Sequence, residues 1–313
     1  MPRVLRPRLL AAALPVALVL SSCGSGDGGG GDDGGSRPTI VVTYSILGAV
    51  TRDLVGDAAE VTVLMPNGID PHEWEPSAKD IAALNSADLV VENGLGLEEG
   101  LQDALDEARG DDVPFFTASD HVDIRIVGAG EGVDPADEDQ APGAKDPHLW
   151  MDPAGMADVV TALAATLGTL VIDIGDRATT VPAALDALDE QVAGIVAAVP
   201  EEDRKLVTGH ESLGYFARRY GFALVGAVVP SISSQAESSA GDLAALAEKI
   251  EAAGVPAIFT ELGTAPDVVD AIAKETGVAV VELGTHALPE DGAYSTFMTD
   301  LATKVAGALS PAT

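Results

Sequence analysis

Apolar runs alternate with amphipathic segments along the first part of the chain. The run "TIVVTY", residues 39–44, is apolar and β-branched, which is the pattern of a strand buried on both faces. Ser77, followed three residues later by Asp80, predicts the start of a helix. Further strands are predicted at 60–65, 87–93 and 113–117, and helices at 46–55, 77–85 and 98–108. This alternation predicts a parallel sheet with helices on its faces.

The same strand-helix alternation returns in the second half, after a helical stretch. Asp152 and Pro153 predict a helix start, with aspartate as N-cap and proline at the first position, and the helix continues to about residue 172. A second helix is predicted to begin near Pro182, because apolar residues recur there at helical spacing. Strands then follow at 205–208, 223–228, 257–260 and 278–282, and helices at 213–220, 241–253, 266–276 and 294–309. The fold class is therefore expected to be α/β. An N-terminal lobe (39–155) and a C-terminal lobe (201–313) would be separated by linking helices (156–200).

The N-terminal segment has the features of a bacterial lipoprotein leader. Three arginines precede an apolar stretch at 9–20, which suits a signal peptide and is too short to span a membrane. The sequence "LSSC" then ends at Cys23, the single cysteine, and resembles a lipobox. We expect residues 1–22 to be removed, Cys23 to be lipidated and the Gly-rich residues 23–38 to form a flexible tether. The alternative is an ordinary signal peptide with an incidental cysteine.

Composition narrows the classes of partner. The 313 residues are 47% hydrophobic, enough for a large core, and carry a formal net charge of −33. Nucleic acid is not expected as a partner, because phosphate binding requires a basic face. A cationic ligand is compatible with this charge, although the acidity also has a simpler explanation in solubility. With Cys23 lipidated, no thiol is left for a disulfide or a thiolate metal site.

Histidine is scarce, and its placement is the main functional signal. The chain has five histidines, and the phrase Asp-Pro-His occurs twice, in "IDPHEWEPS" and "KDPHLWMDP". Three histidines follow predicted strands, and a fourth ends the long loop that leaves the fourth strand: His72, His210, His286 and His148. Ligands of open α/β sheets bind beyond the carboxyl ends of the strands. We therefore expect these four to meet in one cleft between the lobes, whereas His121 has no such placement.

The residues around these histidines suggest supporting roles. The proline before His72 and before His148 stiffens each loop. Trp74 and Trp150, two residues past those histidines, would either seal the site from water or anchor the loops on a lobe. A histidine that binds a metal usually donates its other N–H to a carboxylate or carbonyl. The candidates near strand ends are Glu211, Glu261 and Glu282, each of which could equally be an exposed charge.

Several longer phrases carry a family resemblance. They are "VVTYSILGAVTRDLVGD", "LMPNGIDPHEWEPSAKDIAALNSADLVVENGLGLE", "DPHLWMDP", "TGHESLGYFARRYG" and "AGVPAIFTE". From about residue 39 to its end, the chain resembles the solute-binding lipoproteins of ABC importers for zinc and manganese (the cluster A-I, ZnuA/TroA-like family). The resemblance implies two α/β lobes joined by a long rigid helix. It also implies metal binding by His72, His148 and His210, and His286 stands in "THAL" where the family usually has an acid.

The resemblance further implies a location and partners. We expect a monomer, lipid-anchored on the extracytoplasmic face of a bacterial cell membrane, that delivers a divalent ion to an ABC permease and its ATPase. In place of the His-rich loop of many zinc members, residues 128–144 are acidic. This loop is either merely solvated or a weak transient trap for cations.

Ligand chemistry favours zinc among the candidate metals. Manganese prefers oxygen ligands, whereas zinc accepts imidazole in a tetrahedral site. A manganese-binding member of the family, a surface adhesin and an anchored zinc hydrolase remain as alternatives. A hydrolase needs an open coordination position, which four protein ligands would fill, and the sequence has no His-Glu-x-x-His motif.

Overall fold

The computed structural model describes residues 37–128 and 143–310. The predicted leader, Cys23 and nearly all of the predicted tether lie outside these residues, as does most of the acidic segment 128–144. The described chain contains two separate four-stranded parallel sheets with helices packed on them, which confirms the α/β fold with two lobes. Within these same residues, no helix has the length and apolar character needed to cross a membrane.

The N-terminal lobe is built from alternating strands and helices around a sheet of order β2-β1-β3-β4. Each pair of neighbouring strands is parallel, and β1 lies in register with both β2 and β3. The elements are β1 (Thr39–Val42), α1 (Ser45–Val55), β2 (Glu60–Val63), α2 (Ala78–Asn85), β3 (Leu89–Glu92), α3 (Gln102–Gly110) and β4 (Phe115–Thr117).

The C-terminal lobe repeats this topology with a sheet of order β6-β5-β7-β8, again all parallel. Its elements, together with the two helices that precede it, are α4 (Pro153–Thr169), α5 (Arg177–Val196), β5 (Lys205–Thr208), α6 (Gly214–Tyr220), β6 (Ala223–Ala227), α7 (Ala240–Ala253), β7 (Ala257–Thr260), α8 (Pro266–Thr276), β8 (Ala279–Glu282) and α9 (Tyr294–Leu309). Because both sheets are parallel and equally ordered, each lobe offers one edge at which all strands end.

Two predicted helix starts have the expected caps. The Ser77 hydroxyl accepts from the N–H of Asp80, and the Asp80 carboxylate accepts from the N–H of Ser77 at 2.9 Å, so a full capping box opens α2. Asp152 Oδ1 accepts from the N–H groups of Ala154 and Gly155 at 3.1 and 3.3 Å. Pro153 stands at the first position of α4 and has no N–H to satisfy.

Helix α5 begins earlier than the sequence predicted. It starts at Arg177, so Pro182 lies inside its second turn rather than at its start. Proline there removes the hydrogen bond to the carbonyl of Ala178, and its ring crowds that carbonyl, so the helix carries Pro182 at some cost. The 20 residues of α5 span about 30 Å. The helix packs against α4, α1 and α9 and leads into β5 of the second lobe.

Most of the buried apolar side chains form one continuous core that includes residues of both lobes. It runs from β1 and α1 through α4 and α5 to α9, and reaches Phe216 and Phe259 of the C-terminal lobe. A smaller separate cluster lies between α7, α8 and the second sheet, around Val207 and Ile258. The two lobes are therefore joined by shared packing as well as by the chain.

Candidate metal site

The four histidines predicted to converge do meet in the structure. One nitrogen of each lies within 4.8 Å of the others, and all four residues are buried: His72, His148, His210 and His286. The first follows β2, the second precedes the 3-10 turn Leu149–Met151, and the other two follow β5 and β8. His121 lies outside this cluster. It is exposed, and its ring stacks on that of Phe116 with centroids 4.7 Å apart.

Three of the rings direct the same nitrogen toward a common point. Nε2 of His148 lies 3.5 Å from Nε2 of His72 and 3.1 Å from Nε2 of His210. The fourth ring, His286, stacks on His210 with centroids 5.5 Å apart and planes 14° apart. Its Nε2 is buried and makes no hydrogen bond within the described structure. Burial and the charge of His210 lower the pKa of His286 to about 4, so it is neutral near pH 7.

The repeated phrase Asp-Pro-His has a common local structure. In each copy the aspartate accepts from the backbone N–H of the histidine two residues later. Asp70 Oδ1 lies 3.0 Å from the N of His72, and Asp146 Oδ1 lies 2.9 Å from the N of His148. Such a turn fixes the backbone at the histidine, and the intervening proline stiffens it further. The aspartate two residues before each histidine is the signal in the sequence that indicates this turn, in addition to the proline.

A carboxylate faces the second ring nitrogen of three histidines. Nδ1 of His148 lies 2.8 Å from Asp146, Nδ1 of His210 lies 3.0 Å from Glu261, and Nδ1 of His72 lies 3.3 Å from Glu99. An ionised carboxylate only accepts hydrogen bonds, so Asp146 and Glu99 place the proton on Nδ1 of His148 and His72 and leave the Nε2 lone pair free. At His210 the nearby charge of Glu261 favours the same tautomer. For His286 the corresponding neighbour is the Thr285 hydroxyl, 3.1 Å from Nδ1.

Of the glutamates predicted to support the site, Glu261 lies directly against a histidine. It also accepts from the N–H of His210 at 3.0 Å and from the hydroxyl of Ser212 at 2.6 Å. Burial would raise the pKa of Glu261, but the charge and hydrogen bonds of His210 hold it well below the usual range. Glu211 is buried, and its N–H donates to the Ser231 carbonyl at 2.9 Å.

Glu282 lies away from the interior of the site. Its side chain is exposed at the end of β8, which is the edge strand of its sheet, and its carbonyl accepts from Lys304 Nζ at 3.0 Å. Two of the carboxylates that do face histidines, Asp146 and Glu99, were not predicted from the sequence. Arg125 was not predicted either, and its buried guanidinium lies 3.0 Å from Asp146 Oδ2 and offsets that carboxylate's charge.

The two tryptophans differ in their relation to the site. The ring of Trp150 is fully buried, with centroids 5.2 Å from His148 and 5.6 Å from His286. Trp74 is half-buried and packs at the margin of the main core. Trp150 thus forms a wall of the histidine cluster. The arrangement as a whole offers four buried imidazole nitrogens to a cation, and no carboxylate belongs to that group.

Comparisons with known proteins agree with the family resemblance. The model of the ZnuA family, the periplasmic component A of a zinc-uptake complex, matches residues 40–308. The manganese-binding lipoprotein MntA of Halalkalibacterium halodurans is 28% identical over 282 residues, which cover 88% of each chain. The zinc-binding protein TroA of Treponema pallidum is 29% identical over 266 residues, covering 82% of this chain and 80% of TroA.

Solved structures give the same result. The periplasmic zinc-binding protein TroA superimposes with a TM-score of 0.75 at 27% identity, covering 88% of this chain and all of the TroA chain. A mutant of the laminin-binding adhesin Lmb of Streptococcus agalactiae has a TM-score of 0.73 at 26% identity, covering 86% of this chain and 98% of the other. The match over residues 40–308, with the two-lobe fold, shows that the chain belongs to the ZnuA family of substrate-binding proteins of metal ABC importers.

Proposed function

We propose that this protein captures one zinc ion between its lobes, outside the cytoplasm, and delivers it to the permease of an ABC importer. The proposed ligands are the four imidazoles of His72, His148, His210 and His286. The observation that carries the proposal is the convergence of four buried nitrogens without a carboxylate among them. Asp146, Glu261 and Glu99 would orient three of these ligands from behind.

The choice of zinc over manganese rests on the chemistry of the donors. Imidazole suits zinc, and four such ligands complete the tetrahedral geometry that zinc prefers. Manganese favours harder oxygen ligands and a higher coordination number. The relatives do not decide between the two metals, since MntA is described as manganese-binding and TroA as zinc-binding. The histidine at position 286 is therefore the feature of this chain that favours zinc.

Two other functions have weaker support. A zinc hydrolase keeps one coordination position open for water, and four protein ligands would close it. Adhesion is a second candidate role, because the laminin-binding adhesin Lmb shares the fold and 26% of its sequence. Adhesion would be compatible with metal binding and is tested by binding of the zinc-loaded protein to immobilised laminin.

The anchor and domain plan belong to the same proposal. Residues 1–22 would be removed as a lipoprotein signal, and acylated Cys23 would hold a monomer at the membrane through the tether of residues 23–38. The lobes 39–155 and 201–313, with linking helices at 156–200, would then present the metal cleft to the permease and its ATPase. The relatives described as lipoproteins support this plan, among them MntA.

Titration of the metal-stripped protein with zinc tests the proposal. We expect one tight site, and His148→Ala should weaken it by at least about 100-fold, because it removes a central ligand. His121→Ala is the matched control and should leave the affinity unchanged, since that exposed ring stacks on Phe116 away from the cluster. A cell lacking the chain should also grow poorly under zinc restriction. A stoichiometry of zero, or equal affinity for His148→Ala and parent, would refute the proposal.

A further inference from the structure

Trp150 connects the loop that carries His148 to the loop that carries His286. It lies two residues after His148 and is fully buried. Its indole Nε1 donates to the backbone carbonyl of Thr285 at 3.0 Å. Thr285 immediately precedes His286, so one hydrogen bond joins the loop before α4 to the loop after β8. A buried indole N–H requires such a partner, and this one lies 135 residues away in the sequence.

The tryptophan is itself held from the other side. Its backbone carbonyl accepts from the hydroxyl of Tyr294 at 2.6 Å, and its ring packs against Tyr44 with centroids 5.2 Å apart. Tyr294 is the first residue of α9 and is buried. Trp150 is therefore fixed by neighbours in both lobes, and a fixed donor can in turn fix the carbonyl of Thr285.

His286 differs from the other three histidines in what orients it. The others each face a carboxylate at Nδ1, which selects the tautomer that leaves Nε2 free. At Nδ1 of His286 the described structure places the hydroxyl of Thr285, which can donate or accept and so selects neither tautomer, while Asp70 and Glu261 act on the ring through their charge. Its orientation must come from contacts of its loop and its ring. The ring stacks on His210, and its loop is bound to the indole of Trp150.

We propose that Trp150 is a positioning residue that sets His286 as the fourth zinc ligand by holding the Thr285 carbonyl against the His148 loop. This inference rests on the proposed zinc site. It assigns to the indole N–H a role that is separate from excluding water. Supporting groups behind a metal ligand typically change affinity 10- to 100-fold, which sets the expected size of the effect.

A double-mutant cycle with zinc affinity as the readout tests this role. Trp150→Phe keeps an aromatic ring and removes the N–H, and we expect it to weaken zinc binding about tenfold. In a His286→Ala background the same change should weaken binding less than about threefold, because the ligand it positions is already gone. Trp74→Phe is the control and should have little effect in either background. Replacement of Trp150 by β-(3-benzothienyl)alanine, which keeps the two-ring shape without the N–H, should reproduce Trp150→Phe.

The outcomes separate this inference from the function on which it rests. Equal losses in the two backgrounds would mean that Trp150 acts through His148 or the cleft in general, and would overturn the inference while leaving zinc binding intact. No loss for the benzothienyl variant would overturn it as well, whatever the folding of Trp150→Phe. A parent protein that binds no zinc would overturn both proposals.

Discussion

Nε2 of His148 and Nε2 of His210 lie 3.1 Å apart, although their loops belong to different lobes. Two imidazolium ions would repel each other strongly at this distance. Burial, followed by the charges of His210 and the other two histidines, lowers the pKa of His148 well below its ordinary value. His148 thus offers a neutral nitrogen lone pair beside His210, which is what a metal site requires.

The fourth histidine should govern the choice of metal. His286→Asp would add a hard, negatively charged ligand to an all-nitrogen site, which favours manganese more than zinc. We expect the ratio of zinc affinity to manganese affinity to decrease about tenfold, or about 1.4 kcal/mol, mostly because manganese binds more tightly. Competition titrations with both metals measure the ratio. An unchanged ratio would show that His286 is not a ligand.

Zinc affinity should depend on pH through His210. Burial would lower its pKa, but the Glu261 carboxylate outweighs burial and raises it. Protons compete with zinc for this imidazole below its raised pKa. As the pH is lowered, the zinc affinity should therefore begin to fall before the pH reaches about 6.5, the ordinary pKa of histidine.

Removing the carboxylate should shift this dependence. In Glu261→Gln the protonated ring of His210 loses the carboxylate that stabilises its charge, so the pKa of His210 falls. The pH at which zinc affinity begins to decrease should therefore move to a lower value. The affinity at about pH 8 also falls, by about 10- to 100-fold, because the ligand is less basic and less well oriented. Zinc competition titrations at several pH values check both effects, and an onset that does not move would contradict this role of Glu261.

Glu98 should make the protein less stable at alkaline pH. Burial is the main cause that raises its pKa to about 7, although it accepts from the N–H of Asn93 and from the hydroxyl of Thr43. The folded state therefore keeps a proton that the unfolded state releases, and stability is lost as the pH rises from about 4.5 through about 7. At about pH 8 this costs about 3 kcal/mol.

Glu98→Gln removes this charge and should raise the free energy of unfolding at about pH 8 by about 1–3 kcal/mol, with little gain at about pH 4.5. Urea denaturation of the metal-free protein at both pH values measures the difference. Glu107→Gln is the matched control, since it makes the same change of charge on the exposed face of α3. A gain of equal size at both pH values would contradict the role assigned to the buried carboxyl.

Cys23 should determine where the protein resides. If it carries the lipid anchor, Cys23→Ala releases the protein from the membrane fraction into the periplasm or medium. Fractionation with immunodetection measures this, and a Cys23→Ala protein that stays with the membrane would indicate another anchor.

The sequence predicted the two parallel sheets and the meeting of four histidines because both follow from local pattern. Strands and helices alternate visibly, and the ends of parallel strands meet at one edge, so His210 and His286 could be placed from strand ends alone. The start of α5 was misplaced because Pro182 was taken as a boundary, although a second-turn proline is tolerated there.

The groups behind the histidines were harder to predict because their contacts depend on tertiary packing. Glu261 follows a central strand and is buried, whereas Glu282 ends an edge strand and is exposed, a difference that strand order decides and local sequence does not. Glu99 reaches His72 from a 3-10 turn that was predicted as part of a helix.

The most direct test of this account is the zinc K-edge absorption spectrum of the protein loaded with one equivalent of zinc. Four histidine ligands predict a first shell of four nitrogens at about 2.0 Å with the outer-shell scattering of imidazole. In His286→Ala the imidazole count should fall to three. A first shell dominated by oxygen, or a spectrum unchanged by His286→Ala, would contradict the four-histidine zinc site.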